Sequence, residues 1–208
     1  MKLSLSQRHY LETAADAYHA QAEHAEAYLA ERGISRQVAD TFRLGVVVEP
    51  LVGDSDFIHR LSIPYLTLSG VIDIRYRALL PDQNPKYLSR TGATTNLYNV
   101  AAFMSDSPVI AICEGELDTI VMSGVVGIPA VGVPGANNWR SHYRLLFEDY
   151  ERVLVLCDGD QAGREFGKKV AAEVEGATVI HLPDGMDVND MYLHEGAAAL
   201  RKRVGYEQ

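Results

Sequence analysis

Three short apolar runs in this 208-residue chain each end in carboxylates. VIAIC (109–113) leads into Glu114-Gly115-Glu116, with Asp118 close behind. VLVLC (153–157) leads into Asp158-Gly159-Asp160, and TVIHLP (178–183) into Asp184, Asp187 and Asp190. Acids this close repel one another and lose hydration at the end of a buried strand, so something must compensate them. A hard divalent cation would do so. Mg²⁺ takes oxygen ligands, needs few of them from protein and keeps positions for water and phosphate, with Mn²⁺ as the alternative. A lone acid in such a loop is more often a helix cap or turn former. Asp184-Gly185 reads as a turn, and Asp118 as either a cap or tether of its own helix or a site residue. The recurrence of acids after successive strands is what points to a metal site.

The elements that must position these acids are legible in outline. The runs at 109–113, 128–134, 153–157 and 178–183 lack alternation and are separated by segments that read as helices: EGELDTIVMSG as turn and helix, then WRSHYRLLFEDY, GREFGKKVAAEVEG and VNDMYLHEGAAALRKRV. This pattern predicts an α/β domain over 105–208, a mostly parallel sheet with helices on both faces. In open parallel sheets ligands bind beyond the carboxyl ends of the strands. Glu114 and Asp158, 44 positions apart, are therefore expected on one rim.

A smaller mixed α+β segment is predicted over 1–104. Residues 7–31, rich in Ala and Glu without Gly or Pro, predict one helix, and 35–43 a second. GVVVEP looks extended. IHRLSIPYLTL and VIDIRYRALL predict strands separated by Ser69-Gly70; in the second, Ile72, Ile74 and Tyr76 alternate with Asp73, Arg75 and Arg77. That period places Arg75 and Arg77 together on a solvated face. Residues 81–100 read as loop.

Net charge is −9, which argues against a nucleic-acid partner until its distribution is considered. Residues 58–90 carry five Lys/Arg against two Asp, and residues 109–208 carry nine against 16 acids. A metal-dependent enzyme acting on a polyanion fits this asymmetry, because bound cations offset acids. No stretch approaches a membrane span and the N-terminus is too polar for a signal peptide, so the expected setting is cytoplasmic, in a bacterial or phage-infected cell. Cys113 and Cys157 lie inside apolar runs and read as buried thiols, with no zinc pattern. GREFGKK lacks the spacer and Ser/Thr of a phosphate loop.

EGELDTI followed by VLVLCDGDQAGREFG resembles the Toprim domain of primases and topoisomerases. YLAERGISRQVADTFRLGVV (28–47), RLSIPYLTLSGVIDIRYRALLPDQNPKYLSR (60–90) and LPDGMDVNDMYLHEG (182–196) extend the resemblance to the RNA-polymerase core of DnaG-type primases, across nearly the whole chain and in order. The resemblance implies an N-terminal basic subdomain over 1–104 and a Toprim catalytic domain over 105–208. It implies Mg²⁺-dependent synthesis of RNA primers from NTPs on a single-stranded DNA template. Glu114 would assist proton transfer or hold metal, Asp158 and Asp160 would be metal ligands, and Asp187 and Asp190 would form the third acidic group. Arg77, Lys86 and Tyr87 fall on positions that contact nucleotide phosphate or template backbone, and Arg75, Arg60 and Arg90 lie near them. The Cys/His zinc module and the helicase-binding domain of such primases are not seen, so a separate zinc-binding protein or replicative helicase is the expected partner. Two alternatives stay open: a Toprim-type nuclease, and a non-catalytic single-stranded-DNA-binding accessory protein.

Overall fold

A computed structural model describes residues 3–93 and 96–206, and the chain divides into two compact units at Thr94/Thr95. In the first, Ser4 starts α1 (Leu5–His19) with a reciprocal cap. Its hydroxyl accepts the Gln7 N–H, and the Gln7 side chain accepts the Ser4 N–H. Leu11, Ala14, Ala15 and Tyr18, spaced three and four apart, are the buried stripe of this helix. They pack on Val71, Ile74 and Tyr76 of an antiparallel sheet ordered β1 (Gly45–Val46), β2 (Arg60–Thr67), β3 (Gly70–Ala78), β4 (Tyr87–Ser89). Phe57 stacks on Tyr76 with ring centroids 3.8 Å apart.

Four expectations change in this unit. The single helix over 7–31 is instead α1, a 3₁₀ turn and a short α2 (Glu26–Glu31). No local breaker lies there; β1 passes so near the end of α1 that a Cβ on Gly45 would sit 2.2 Å from the Tyr18 carbonyl. The second helix, α3 (Arg36–Thr41), is shorter than expected and starts at Ser35, whose hydroxyl accepts the Val38 N–H. Residues 81–100 include β4, which pairs with β3. Finally, the alternation in β3 breaks, because Tyr65 pairs with Asp73 but Leu66 with Val71, which leaves one residue extra on β3. Such a bulge shifts the faces locally. Ile72 is only half-buried, whereas Arg77 keeps the face of Arg75 and is buried there beside Tyr28 and Tyr87.

The second unit holds four parallel strands in the order β6 (Ala130–Gly132), β5 (Val109–Cys113), β7 (Arg152–Cys157), β8 (Ala177–His181). Every residue of β5 is buried, as is β7 after its first, which requires cover on both faces. Ile110, Ile112, Val153 and Val155 pack with Phe166 and Val170 of α5 (Gln161–Glu173). The intervening Ala111, Leu154 and Leu156 are equally buried. The remaining helices are α4 (Glu116–Ile120), continuing into a π turn, and α6 (Val188–Arg203), kinked at Gly196 where φ is 82°. WRSHYRLLFEDY forms 3₁₀ turns over Ser141–Phe147 rather than an α-helix. An isolated antiparallel bridge pairs Tyr98 with Gly132. Cys113 and Cys157 are buried free thiols, and no helix among the described residues is long and apolar enough to cross a membrane.

Candidate active site

The sheet order creates the site. From β5 the chain runs through α4 to β6 on one side, whereas β7 leads through α5 to β8 on the other. The carboxyl ends of β5 and β7 flank the point where the connections diverge, which is where open parallel sheets bind ligands. Glu114 and Asp158 are the first residues past those two ends.

Glu114 Oε1 accepts the backbone N–H of Asp158 at 3.0 Å. Burial pushes the Glu114 carboxyl up to about 7; the Asp158 N–H opposes the shift, and Asp160 and Asp118 add to it. The Asp158 carboxyl is also pushed up to about 7, first by burial and then by the charges of Glu114, Asp187, Asp160 and Asp190. Among the described residues Asp158 has no side-chain hydrogen bond and no ion pair. Arg164, in the first turn of α5, leans 3.7 Å from the exposed Asp184.

Two glycines set the spacing. A Cβ on Gly163 would lie 2.8 Å from Glu114 Oε1 and 2.4 Å from the Asp158 carbonyl oxygen, so the start of α5 closes directly on both acids. A Cβ on Gly159 would lie 1.8 Å from the Pro183 carbonyl oxygen. That contact lets the segment after β8 fold onto the Asp158-Gly159 turn. Gly159 N–H donates to the Met186 carbonyl at 2.9 Å, and Gly185 N–H to the Gly159 carbonyl at 2.8 Å. These bonds bring Asp187 and Asp190 within electrostatic range of Asp158.

The acids are not equivalent. Asp160 caps α5, accepting the Gly163 N–H at 2.7 Å. Asp187 caps α6, accepting the Asp190 N–H at 2.7 Å, and Asp190 returns a bond to the Asp187 N–H. Asp118 is buried and accepts the Asn189 N–H at 3.2 Å, tying α4 to α6. Among the described residues no three His, Cys, Asp or Glu groups converge into a ready-made ligand shell. The donor set of carboxylate oxygens around an unbalanced Asp158 fits a hard cation that takes few protein ligands and completes its shell with water and substrate oxygens.

The basic candidates occupy the first unit. Arg77 is 7% exposed; its Nε donates to the Tyr28 hydroxyl at 2.6 Å and its Nη1 to the Tyr87 hydroxyl. Arg75 lies over the Tyr87 ring, 4.4 Å from the centroid. Arg60 is buried and donates to the Pro85 carbonyl at 2.8 Å. Lys86 is exposed, with its backbone carbonyl accepting the Ala78 N–H. Arg90 is drawn inward to the fully buried Asp54, which also accepts the Tyr18 hydroxyl at 2.5 Å. The structure thus clusters Arg75, Arg77 and Tyr87, gathers Arg90 into a separate buried network, and leaves Lys86 in solvent. Tyr28 was missed in the sequence. Only its place in YLAERG, inside the segment of primase resemblance, separated it from the other tyrosines of an Ala/Glu-rich stretch.

A four-stranded parallel sheet with Glu ending one central strand and Asp-Gly-Asp ending its neighbour defines a Toprim-type domain. A Toprim-like family model matches residues 111–192. The gene 57 protein of Mycobacterium phage D29 is 44% identical over 149 residues, covering 69% of this chain and 97% of the phage protein. The DNA primase of Pasteurella multocida is 25% identical over 222 residues, covering 86% of this chain and 38% of the primase. A DnaG primase catalytic domain solved bound to ssDNA matches with a TM-score of 0.74 at 23% identity, over 97% of this chain and 82% of that one. The chain belongs to the family of the phage D29 gene 57 protein, carries a Toprim-like domain and is related to bacterial DNA primases, and its fold is that of the DnaG catalytic core. Toprim domains and primases generally use divalent metal ions.

Proposed function

We propose that this chain is a primase catalytic core that makes short RNA primers from NTPs on single-stranded DNA, in the cytoplasm of a bacterial or phage-infected cell. The observation that carries the reading is the Asp158 carboxylate, pushed up to about 7 beside Glu114 and unmatched by a protein cation among the described residues. Glu114, Asp158 and Asp160 would hold Mg²⁺, or Mn²⁺ in its place, with Asp187 and Asp190 as the outer acids. When bound, the ion supplies positive charge against the phosphate oxygens as negative charge builds there.

The chain's own residues do the rest. A ribonucleotide 3′-hydroxyl attacks the α-phosphorus of an NTP, an O–P bond forms, and pyrophosphate departs. Glu114, with a proton affinity near neutrality, is suited to accept the hydroxyl proton on its carboxylate. Its bond to the Asp158 N–H fixes where that carboxylate points. Arg75, Arg77 and Lys86 supply positive charge for triphosphate or template phosphates. Tyr87 serves Arg77 through its hydroxyl and Arg75 through its ring. A DnaG catalytic domain solved with ssDNA supports single-stranded template as the partner.

The test is incubation with single-stranded DNA, labelled NTPs and Mg²⁺ or Mn²⁺, followed by resolution of short RNA products. Glu114→Gln and Asp158→Asn should abolish those products with the fold intact. Primer synthesis that survives Asp158→Asn would sink the assignment. DNA cleavage without NTP would make the chain a nuclease, and DNA binding indifferent to EDTA with no products would make it a non-catalytic accessory protein.

A further inference from the structure

Arg77 is a buried cation held by neutral groups. Its Nε donates to the Tyr28 hydroxyl on α2 and its Nη1 to the Tyr87 hydroxyl on β4, so a helix and an edge strand grip one guanidinium from two sides. Despite its burial the guanidinium stays protonated, hydrogen-bonded by those two hydroxyls. Buried arginines ordinarily pair with carboxylates, because an unbalanced charge away from water is costly. A phenol behaves differently: it accepts the hydrogen bond and fixes the guanidinium plane, yet leaves the positive charge uncancelled. Two guanidiniums also face the rings themselves. Arg32 lies 4.9 Å from the Tyr28 centroid and Arg75 4.4 Å from that of Tyr87. Both gripping rings are thereby fixed in place.

We propose that Tyr28 is a positioning residue that aims Arg77 at a phosphate group, of a nucleotide or of the DNA backbone, while preserving its charge. The inference rests on the reading of Arg77 as a phosphate contact. A carboxylate at position 28 would orient Arg77 equally well but neutralise it, whereas phenylalanine would preserve the charge and release the orientation.

The experiment measures the affinity of the full chain for ATP and, separately, for an oligo(dT) strand. It compares the natural protein, Tyr28→Phe, Tyr28→Glu, Arg77→Ala and the Tyr28→Phe/Arg77→Ala double variant, with thermal melting as the fold control. Tyr28→Phe should weaken at least one ligand about tenfold, the loss expected when a hydrogen bond to a charged group no longer orients it. The same substitution should cost nothing further in the Arg77→Ala background, and Tyr28→Glu should bind no better than Arg77→Ala. Loss confined to ATP identifies nucleotide phosphate, loss confined to oligo(dT) identifies backbone phosphate, and loss of both places the two on one cation. Natural affinity in Tyr28→Phe, or an equal loss with and without Arg77, overturns the proposal. If Arg77→Ala binds both ligands normally, the phosphate-contact reading itself fails. If Arg77→Ala is weak and Tyr28→Phe is not, only the role of Tyr28 falls. Should Tyr28→Phe not fold, Tyr28→Gln against Tyr28→Glu decides: the neutral acceptor must bind about tenfold better, and equal binding overturns the idea.

Discussion

The backbone N–H of Asp158 is bound to Glu114 Oε1 at 3.0 Å, so two acids on neighbouring strand ends are locked together while neither neutralises the other. A hydrogen bond that stabilises one carboxylate here also fixes the distance over which the pair repels. The site is therefore built at a cost to folding that a bound cation would relieve.

The cost is measurable by removing one charge at a time. Without divalent metal, Asp158→Asn and Glu114→Gln should each raise the melting temperature at neutral pH by roughly 2–4 °C, as about 1 kcal/mol of strain is released in a chain of this size. Gln at 114 retains an acceptor for the Asp158 N–H. The same variants should lose at least about 10²-fold in primer synthesis, the scale on which removing one transition-state stabiliser is felt. Melting scans and primer assays on the same preparations check both signs, and a destabilised variant would contradict the account.

Stability should also depend on pH in a defined direction. Both carboxyls are pushed up to about 7 in the folded protein, above their ordinary values. In the unfolded chain they ionise first, near pH 4. The stability they confer is thus fully present below about pH 4 and is lost as pH rises through 7. Relative to the Glu114→Gln/Asp158→Asn double variant, the natural protein in EDTA should lose roughly 5 °C of melting temperature between pH 5 and pH 8. Mg²⁺ should restore it at pH 8 and change little at pH 5. An equal Mg²⁺ effect at both pH values would refute the coupling.

Gly159 tests how the outer acids are held. With a Cβ placed 1.8 Å from the Pro183 oxygen, Gly159→Ala must push the 182–187 segment away. It should cost about 1–3 kcal/mol in urea unfolding, the usual range for overpacking. It should also release Asp158 from the charges of Asp187 and Asp190, lowering the pH at which its carboxyl titrates by NMR. Unchanged titration would show that those acids stay in place by other means.

Arg90 and Asp54 are a structural pair in the first unit, with Asp54 fully buried and also held by Tyr18. Asp54→Asn leaves the guanidinium without its counter-charge and should cost about 3 kcal/mol. Chemical denaturation measures it. A loss below about 1 kcal/mol would show Arg90 to be supported without the pair, and available to phosphate.

Much of this protein was legible from local pattern, and its limits are physical. The unalternating runs at 109–113 and 153–157 announced strands buried on both faces, and their terminal acids announced where side chains gather. The break in the N-terminal helix was not legible locally; where α1 ends, β1, remote in sequence, approaches the Tyr18 backbone so closely that only glycine fits at position 45. Nor was the burial of Arg77: the alternation of β3 places it with Arg75, and only the tertiary structure sets Tyr28 and Tyr87 over that face.

By itself, the amino-acid order determined the α/β class, the acidic rim and the candidate chemistry, because strand burial, turn formation and carboxylate identity are properties of short segments. Only the tertiary structure decided what each charge does. It made Asp160 and Asp187 helix caps, left Asp158 unmatched, gave Arg90 to Asp54 and set Arg77 between two phenols. Those choices depend on contacts such as Tyr28 with Arg77, 49 residues apart, and Glu114 with Asp158, 44 apart. Local propensity carries no information about which distant groups the folded chain will bring together.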